Sequence, residues 1–182
     1  MPPQLNGGFA VRNKKLAVFV EGALMVALAF VLSFAKIYQA PYGGAVTLGS
    51  MIPILLFALR HGAGPGLLVG TVHGFIQLIV EPSVVHPAQL ILDYPLAFGL
   101  LGLAGLFQDR PSLGVFVGIA GRFISHFISG VIWWGIYAPE GMNVFVYSLA
   151  YNGGYLVPEL IISAVIVKYV LKRFIQQKVG IH

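Results

Sequence analysis

An all-α membrane protein, a compact bundle of six transmembrane helices with both termini cytoplasmic, is the fold this sequence predicts. Three observations carry that reading. Of 182 residues, 58% are hydrophobic and 9% charged, whereas an average soluble domain carries about 25% charged residues. The apolar residues fall into six long runs separated by proline- and glycine-rich turns. The lysines and arginines collect at the ends of those runs, and mostly on one side.

Composition sets the class, because a soluble chain of this size could not bury so much apolar surface, whereas in a bilayer the solvent is itself hydrocarbon. The length fits one integral membrane domain over residues 1–182, and no internal repeat is evident. With no cysteine, disulfides, thiolate metal sites and cysteine nucleophiles are excluded. The net charge of +5 is spread over segment ends and forms no basic stripe interleaved with aromatics, so nucleic acid is discounted as a partner.

A spanning helix needs roughly 20 apolar residues, at about 1.5 Å of rise each. Spans are expected near residues 16–35, 45–59, 66–80, 88–107, 113–137 and 144–171. The second and third are short, and Pro53 lies inside the second. The sixth is long enough to tilt or to project from the membrane. Turns fall at Pro41-Tyr42-Gly43-Gly44, at His61 to Gly66, at Glu81-Pro82, at Gln108 to Pro111 and at Pro139-Glu140-Gly141. Residues 1–11 read as a flexible polar tail. The first span follows Arg12, Lys14 and Lys15, as a signal peptide would. Its apolar run continues past Ala27-Leu28-Ala29 with no polar region, so it reads as a retained helix.

Six spans place both termini and the second and fourth connections on one side. That side holds Arg12, Lys14, Lys15, Arg60, Arg110, Lys168, Lys172, Arg173 and Lys178, nine of the 11 basic residues. Lys36 lies opposite and Arg122 falls mid-span. Positive residues stay inside, which puts both termini in the cytoplasm.

Polar residues within the spans point to function, because each ionisable group there costs at least about 2.5–3.5 kcal/mol to insert and so faces a partner or a cavity. Asp93 lies in the fourth span, Arg122 and His126 one turn apart in the fifth, and Asn152 and Glu159 two turns apart in the sixth. Arg122 and Glu159, both near mid-depth, read as a structural ion pair. Asp93, His126 and Asn152 read as a ligand site, the alternative being a network that knits three helices. His126, Gly130 and Trp134 recur at fourfold spacing and would form one helical stripe, with Gly130 leaving room in the cleft. Trp133 is rotated about 100° away. Tyr147 and Tyr151 flank Asn152, and Tyr94 follows Asp93. For Trp134 and Tyr147 an interfacial aromatic belt is the competing account. An anion, an imidazole, an amide and flat aromatic faces together suit a flat, cationic heteroaromatic ligand.

The stretch Pro87-Ala88-Gln89-Leu90-Ile91-Leu92-Asp93-Tyr94-Pro95-Leu96-Ala97-Phe98 resembles the fourth-helix signature of the thiamine-specific substrate-capture subunits (S components) of energy-coupling factor (ECF) transporters. Arg122-Phe123-Ile124-Ser125-His126 with Gly130 and Trp134, Tyr147 with Asn152, Leu48 to Ile54 and Gly102 to Phe107 resemble further stretches of that family. The resemblance covers nearly the whole chain after the tail. It implies a six-helix bacterial cell-membrane protein that binds extracellular thiamine and docks onto one membrane scaffold (T) subunit and two ATPases. It also implies a ligand shell of Asp93, Tyr94, His126, Gly130, Trp134, Tyr147 and Asn152, and a docking patch at Ala23 and Ala27 on the first helix. Two small residues four apart allow close approach of another helix. Tyr38 and Tyr42 are the only aromatics of the first outer loop.

No phosphate-binding loop G-x-x-x-x-G-K-[ST] is present, so ATP-driven uptake requires partners. No catalytic residue, metal site or cofactor is expected; the ligand is thiamine and the other contact is membrane lipid. Two alternatives remain: the same architecture with a thiamine precursor or another vitamin, and a membrane enzyme using His126 and Asp93 as acid and base. The second lacks H-E-x-x-H or any nucleophile motif.

Overall fold

The computed structural model describes the backbone of residues 7–179 and the side chains of 14–171. Helix α1 (Gly7–Ser33) is followed by a short antiparallel hairpin, β1 (Lys36–Gln39) and β2 (Ala45–Thr47), and then by α2 (Ile52–His61) and α3 (Ala63–Val80). Next come α4, an irregular helix over Pro87–Phe107, and α5 (Pro111–Ile132) with a 3-10 turn at Trp134–Tyr137. The last element is α6 (Val144–Val179). Among the described residues, five helices are long and apolar enough to cross a membrane: Lys14–Ser33, Ala63–Val80, Pro87–Phe107, Pro111–Ile132 and Val144–Leu171. Apolar side chains such as Phe19, Leu24, Ile79, Ile128 and Val165 cover the outside, as hydrocarbon-facing surface requires.

Three expectations need correction. Helix α1 begins at Gly7 and so reaches into the expected tail, of which residues 1–6 lie outside the described residues. The run 45–59 is not one helix. Ala45–Thr47 is a strand paired with Lys36–Gln39, with Lys36 opposite Thr47 and Gln39 opposite Ala45. Gly49 then turns the chain at φ 106°, a conformation only glycine adopts without strain, and the Thr47 hydroxyl accepts the N–H groups of Gly49 and Ser50 at 3.3 and 3.0 Å. The helix that follows has ten residues and is too short to span by itself. It is buried on nearly every side (Ile52, Pro53, Ile54, Leu55, Phe57, Ala58 and Leu59), so it is apolar because it is the centre of the bundle rather than because it faces lipid. Finally, α5 ends at Ile132, and Trp134–Tyr137 form a separate 3-10 turn, so the expected span 113–137 is broken before Trp134.

Helix α3 packs backbone against backbone on α4. Gly66, Gly70 and Gly74 recur every four residues along one face. A methyl on Gly70 would lie 2.2 Å from the Phe98 carbonyl oxygen, and one on Gly74 would lie 2.5 Å from that of Tyr94. Gly102 answers from α4, where a methyl would meet the Leu67 nitrogen at 2.1 Å. Small residues at such crossings let helices approach closely in a membrane, where hydrophobic exclusion between helices is weak. Around this seam α4 changes winding, with a π-turn at Leu92–Leu96 carrying Pro95 and a 3-10 stretch at Leu101–Phe107. Pro95 lacks the N–H of a regular helix. The wider turn places Asp93 and Tyr94 on the inner wall.

Candidate ligand site

Asp93 lines a cavity of about 130 Å³ bounded by the β1–β2 hairpin, α3, α4, α5 and α6. Four side chains converge on its carboxylate. Gln89 Nε2 donates to Oδ2 at 2.7 Å, Ser129 Oγ at 2.9 Å and Trp134 Nε1 at 3.0 Å, and His126 Nδ1 lies 3.1 Å from Oδ1. Arg122 Nε donates to His126 Nε2 at 3.2 Å. That nitrogen therefore accepts, which leaves the proton on Nδ1 and directs it at Asp93. A relay from guanidinium through neutral imidazole to carboxylate results. Hydrogen bonds of this kind fix the carboxylate in direction.

The structure gathers every residue of the expected shell, Asp93, Tyr94, His126, Gly130, Trp134, Tyr147 and Asn152, around this one cavity. Their local roles differ. The Tyr94 hydroxyl accepts the Ser83 N–H at 2.6 Å and donates to the Glu81 carbonyl at 3.0 Å, so it secures the α3–α4 connection. Asn152 donates from Nδ2 to the Ser148 carbonyl at 2.9 Å and accepts from the Tyr155 hydroxyl on Oδ1 at 2.9 Å. Gly130 makes room for α6: a methyl there would meet Ser148 Oγ at 2.2 Å. Trp134 still lines the cavity although the helical stripe is broken, its indole N–H being tied to Asp93. Trp133 lies outside the cavity and stacks on His86, with ring centroids 5.3 Å apart and planes 17° apart.

Arg122 and Glu159 do not form the expected ion pair. Both line the cavity, but Arg122 sits over the Phe98 ring, 4.0 Å from its centroid. Glu159 Oε1 instead accepts the Thr47 N–H at 2.5 Å and the Thr47 hydroxyl at 2.6 Å. The carboxylate is thus bound to β2, a strand that no sequence pattern announced.

Several participants were missed. Gln89 is fully buried; besides Asp93 it binds the Val85 N–H and the Ser83 carbonyl. Its i, i+4 spacing to Asp93 was the available signal. Ser129 and Tyr155 carried no comparable signal. Tyr42, in the hairpin turn, also lines the cavity. It adopts φ 65° and packs on Tyr137, with centroids 4.3 Å apart, and on Trp134, with centroids 6.2 Å apart. Tyr151 anchors that hairpin: its hydroxyl accepts from the Gly44 N–H at 3.2 Å and donates to the Pro41 carbonyl. Lys36 and Glu81 pair at the mouth at 2.6 Å. Among the described residues, no group of three His, Cys, Asp or Glu side chains could hold a metal.

A multi-pass membrane protein with a polar, aromatic-walled cavity buried among its helices is built to bind a small solute. The family model described as thiamine transporter protein (Thia_YuaJ) matches residues 19–179, and this chain belongs to that family. It is 34% identical over 174 residues to the thiamine transporter ThiT of Bacillus subtilis, covering 85% of this chain and 90% of that protein. To the thiamine transporter ThiT of Lacticaseibacillus paracasei it is 37% identical over 181 residues, covering 88% and 89%. A solved structure of ThiT from Listeria monocytogenes superimposes with a TM-score of 0.79 at 25% identity, covering 88% of this chain and 96% of that one. The family is one of transport proteins, not of enzymes.

Proposed function

We propose that this protein captures extracellular thiamine and delivers it for ATP-driven uptake, as the S component of an ECF transporter. The observation that carries the ligand's chemistry is the charge of the cavity lining. Three carboxylates (Glu81, Asp93 and Glu159) stand against two cations (Lys36 and Arg122). With His126 neutral, the lining is one positive charge short of balance, and burial makes that deficit costly to leave unmet. Thiamine carries one permanent positive charge on a flat ring. Asp93 supplies the compensating charge through the field of the pocket, since its oxygens are already occupied by protein donors. Trp134, held edge-on to Asp93, keeps a face for the ligand ring, and Tyr94, His126, Gly130, Tyr147 and Asn152 complete the shell.

Six membrane crossings with both termini cytoplasmic fit the distribution of lysine and arginine, with α2 and its hairpin together serving as the second crossing. Ala23 and Ala27 are exposed on one face of α1 and form the docking patch for the scaffold subunit, which brings the two ATPases. The chain has no phosphate loop of its own.

Fluorescence tests the stacking. The only tryptophans are Trp133 and Trp134. Thiamine is expected to quench the wild-type protein. Trp134→Phe should remove most of that quenching and weaken binding by about 1–2 kcal/mol, while Trp133→Phe, whose ring lies outside the cavity, leaves both within error. Equal quenching in the wild type and both variants would refute the arrangement.

A further inference from the structure

Glu159, one of the residues that line the cavity, carries a buried carboxylate oxygen without a hydrogen-bond partner. Glu159 is 2% exposed and lines the cavity on α6. Thr47 takes Oε1 with two short hydrogen bonds, from its N–H at 2.5 Å and its hydroxyl at 2.6 Å. The Thr47 hydroxyl is itself fixed by the Gly49 and Ser50 N–H groups. The carboxylate is therefore oriented by the β2 strand, and its second oxygen, Oε2, is buried without a hydrogen-bond partner. Buried polar atoms are nearly always paired, and one left unpaired costs more than an ordinary hydrogen bond gains. Arg122, which also lines the cavity, donates its hydrogen bond to His126 and lies over the Phe98 ring.

We propose that Glu159 forms a specificity contact of the ligand site, accepting on Oε2 a hydrogen bond from an N–H or O–H group of the bound solute. The proposal rests on the reading of this cavity as a thiamine site and assigns to it a residue outside the expected shell. Glu159 is suited to the task because it is positioned before the ligand arrives. Thr47 holds the carboxylate, so binding costs little side-chain ordering. A site built to pair a donor rejects an analogue that lacks it, since the carboxylate oxygen is then buried unmet. Thiamine offers two candidate donors, the amino group on its pyrimidine and the hydroxyl of its side chain.

Calorimetric titration of the purified protein in detergent tests this with three compounds: thiamine, the analogue with an oxo group in place of the pyrimidine amino group, and the analogue with ethyl in place of hydroxyethyl. Glu159→Gln keeps an oxygen for Thr47 and turns an amide N–H₂ toward the donor. It is expected to weaken thiamine binding by about tenfold or more, with unfolding temperature in the absence of ligand unchanged. The loss should shrink to within about twofold for the analogue lacking the donor that Glu159 receives, which identifies the group. If Glu159→Gln does not fold, Glu159→Asp, which withdraws the carboxylate by one methylene, is held to the same criteria. Thiamine binding within twofold of wild type, or an equal loss for all three compounds, overturns the proposal while leaving the thiamine site standing. Failure of the wild type to bind thiamine overturns both.

Discussion

Asp93→Asn is expected to weaken thiamine binding by about 30-fold or more, corresponding to roughly 2–5 kcal/mol. The substitution keeps the size of the side chain and removes its charge. Two losses combine. The cavity no longer has an excess negative charge to meet the cationic ring. The four donors that point at the carboxylate, from Gln89, His126, Ser129 and Trp134, then face an amide with one acceptor oxygen and an opposing N–H₂. Trp134 in particular loses the bond that fixes its ring. Equilibrium dialysis with labelled thiamine measures the effect, and wild-type affinity in the variant would show that Asp93 does not supply the counter-charge. Asp93→Glu keeps the charge but pushes the carboxylate one methylene toward its donors, and is expected to lose less than Asp93→Asn.

The second large effect lies at the seam between α3 and α4. Gly70→Ala with Gly74→Ala places two methyl groups against the carbonyl oxygens of Phe98 and Tyr94, at separations of 2.2 and 2.5 Å if nothing moves. Backbone cannot yield as a side-chain tip can, so the helices must part. Overpacking of this kind costs about 1–3 kcal/mol for each site, and the parting would carry Asp93 away from His126 and Ser129. The expected result is a clear fall in yield and unfolding temperature together with weakened binding. A double variant as stable as wild type, binding thiamine normally, would mean that the seam has slack absent from this geometry.

The residues that were legible in the sequence share one property: they are in the wrong solvent. Asp93, His126, Arg122, Asn152 and Glu159 stand out because hydrocarbon penalises them, and all five line one cavity. The long helices were legible for the opposite reason, as unbroken apolar runs. Composition could not distinguish lipid-facing from buried apolar sequence. The 45–59 run therefore concealed a strand, a glycine turn and a central helix within one stretch free of charged residues. That concealed strand supplies the partner Glu159 has instead of Arg122, since Thr47 brings two donors to its carboxylate. The π-turn at Leu92–Leu96 was equally hidden; Pro95 marked an irregularity but not its sense. Trp134 reached the site by a path the sequence did not indicate. The stripe from His126 through Gly130 ends with the helix at Ile132, and a hydrogen bond to Asp93 does what helical periodicity was expected to do.

The most direct measurement of the central claim is the recovery of bound ligand. The purified protein, incubated with labelled thiamine, washed and then denatured, is expected to release one unmodified thiamine per chain, identified by mass. Saturation should be reached without ATP or any partner, since capture needs only the cavity. Release of a chemically altered product would make the protein an enzyme, and the absence of retained thiamine, with another solute held in its place, would show that the cavity serves a different ligand.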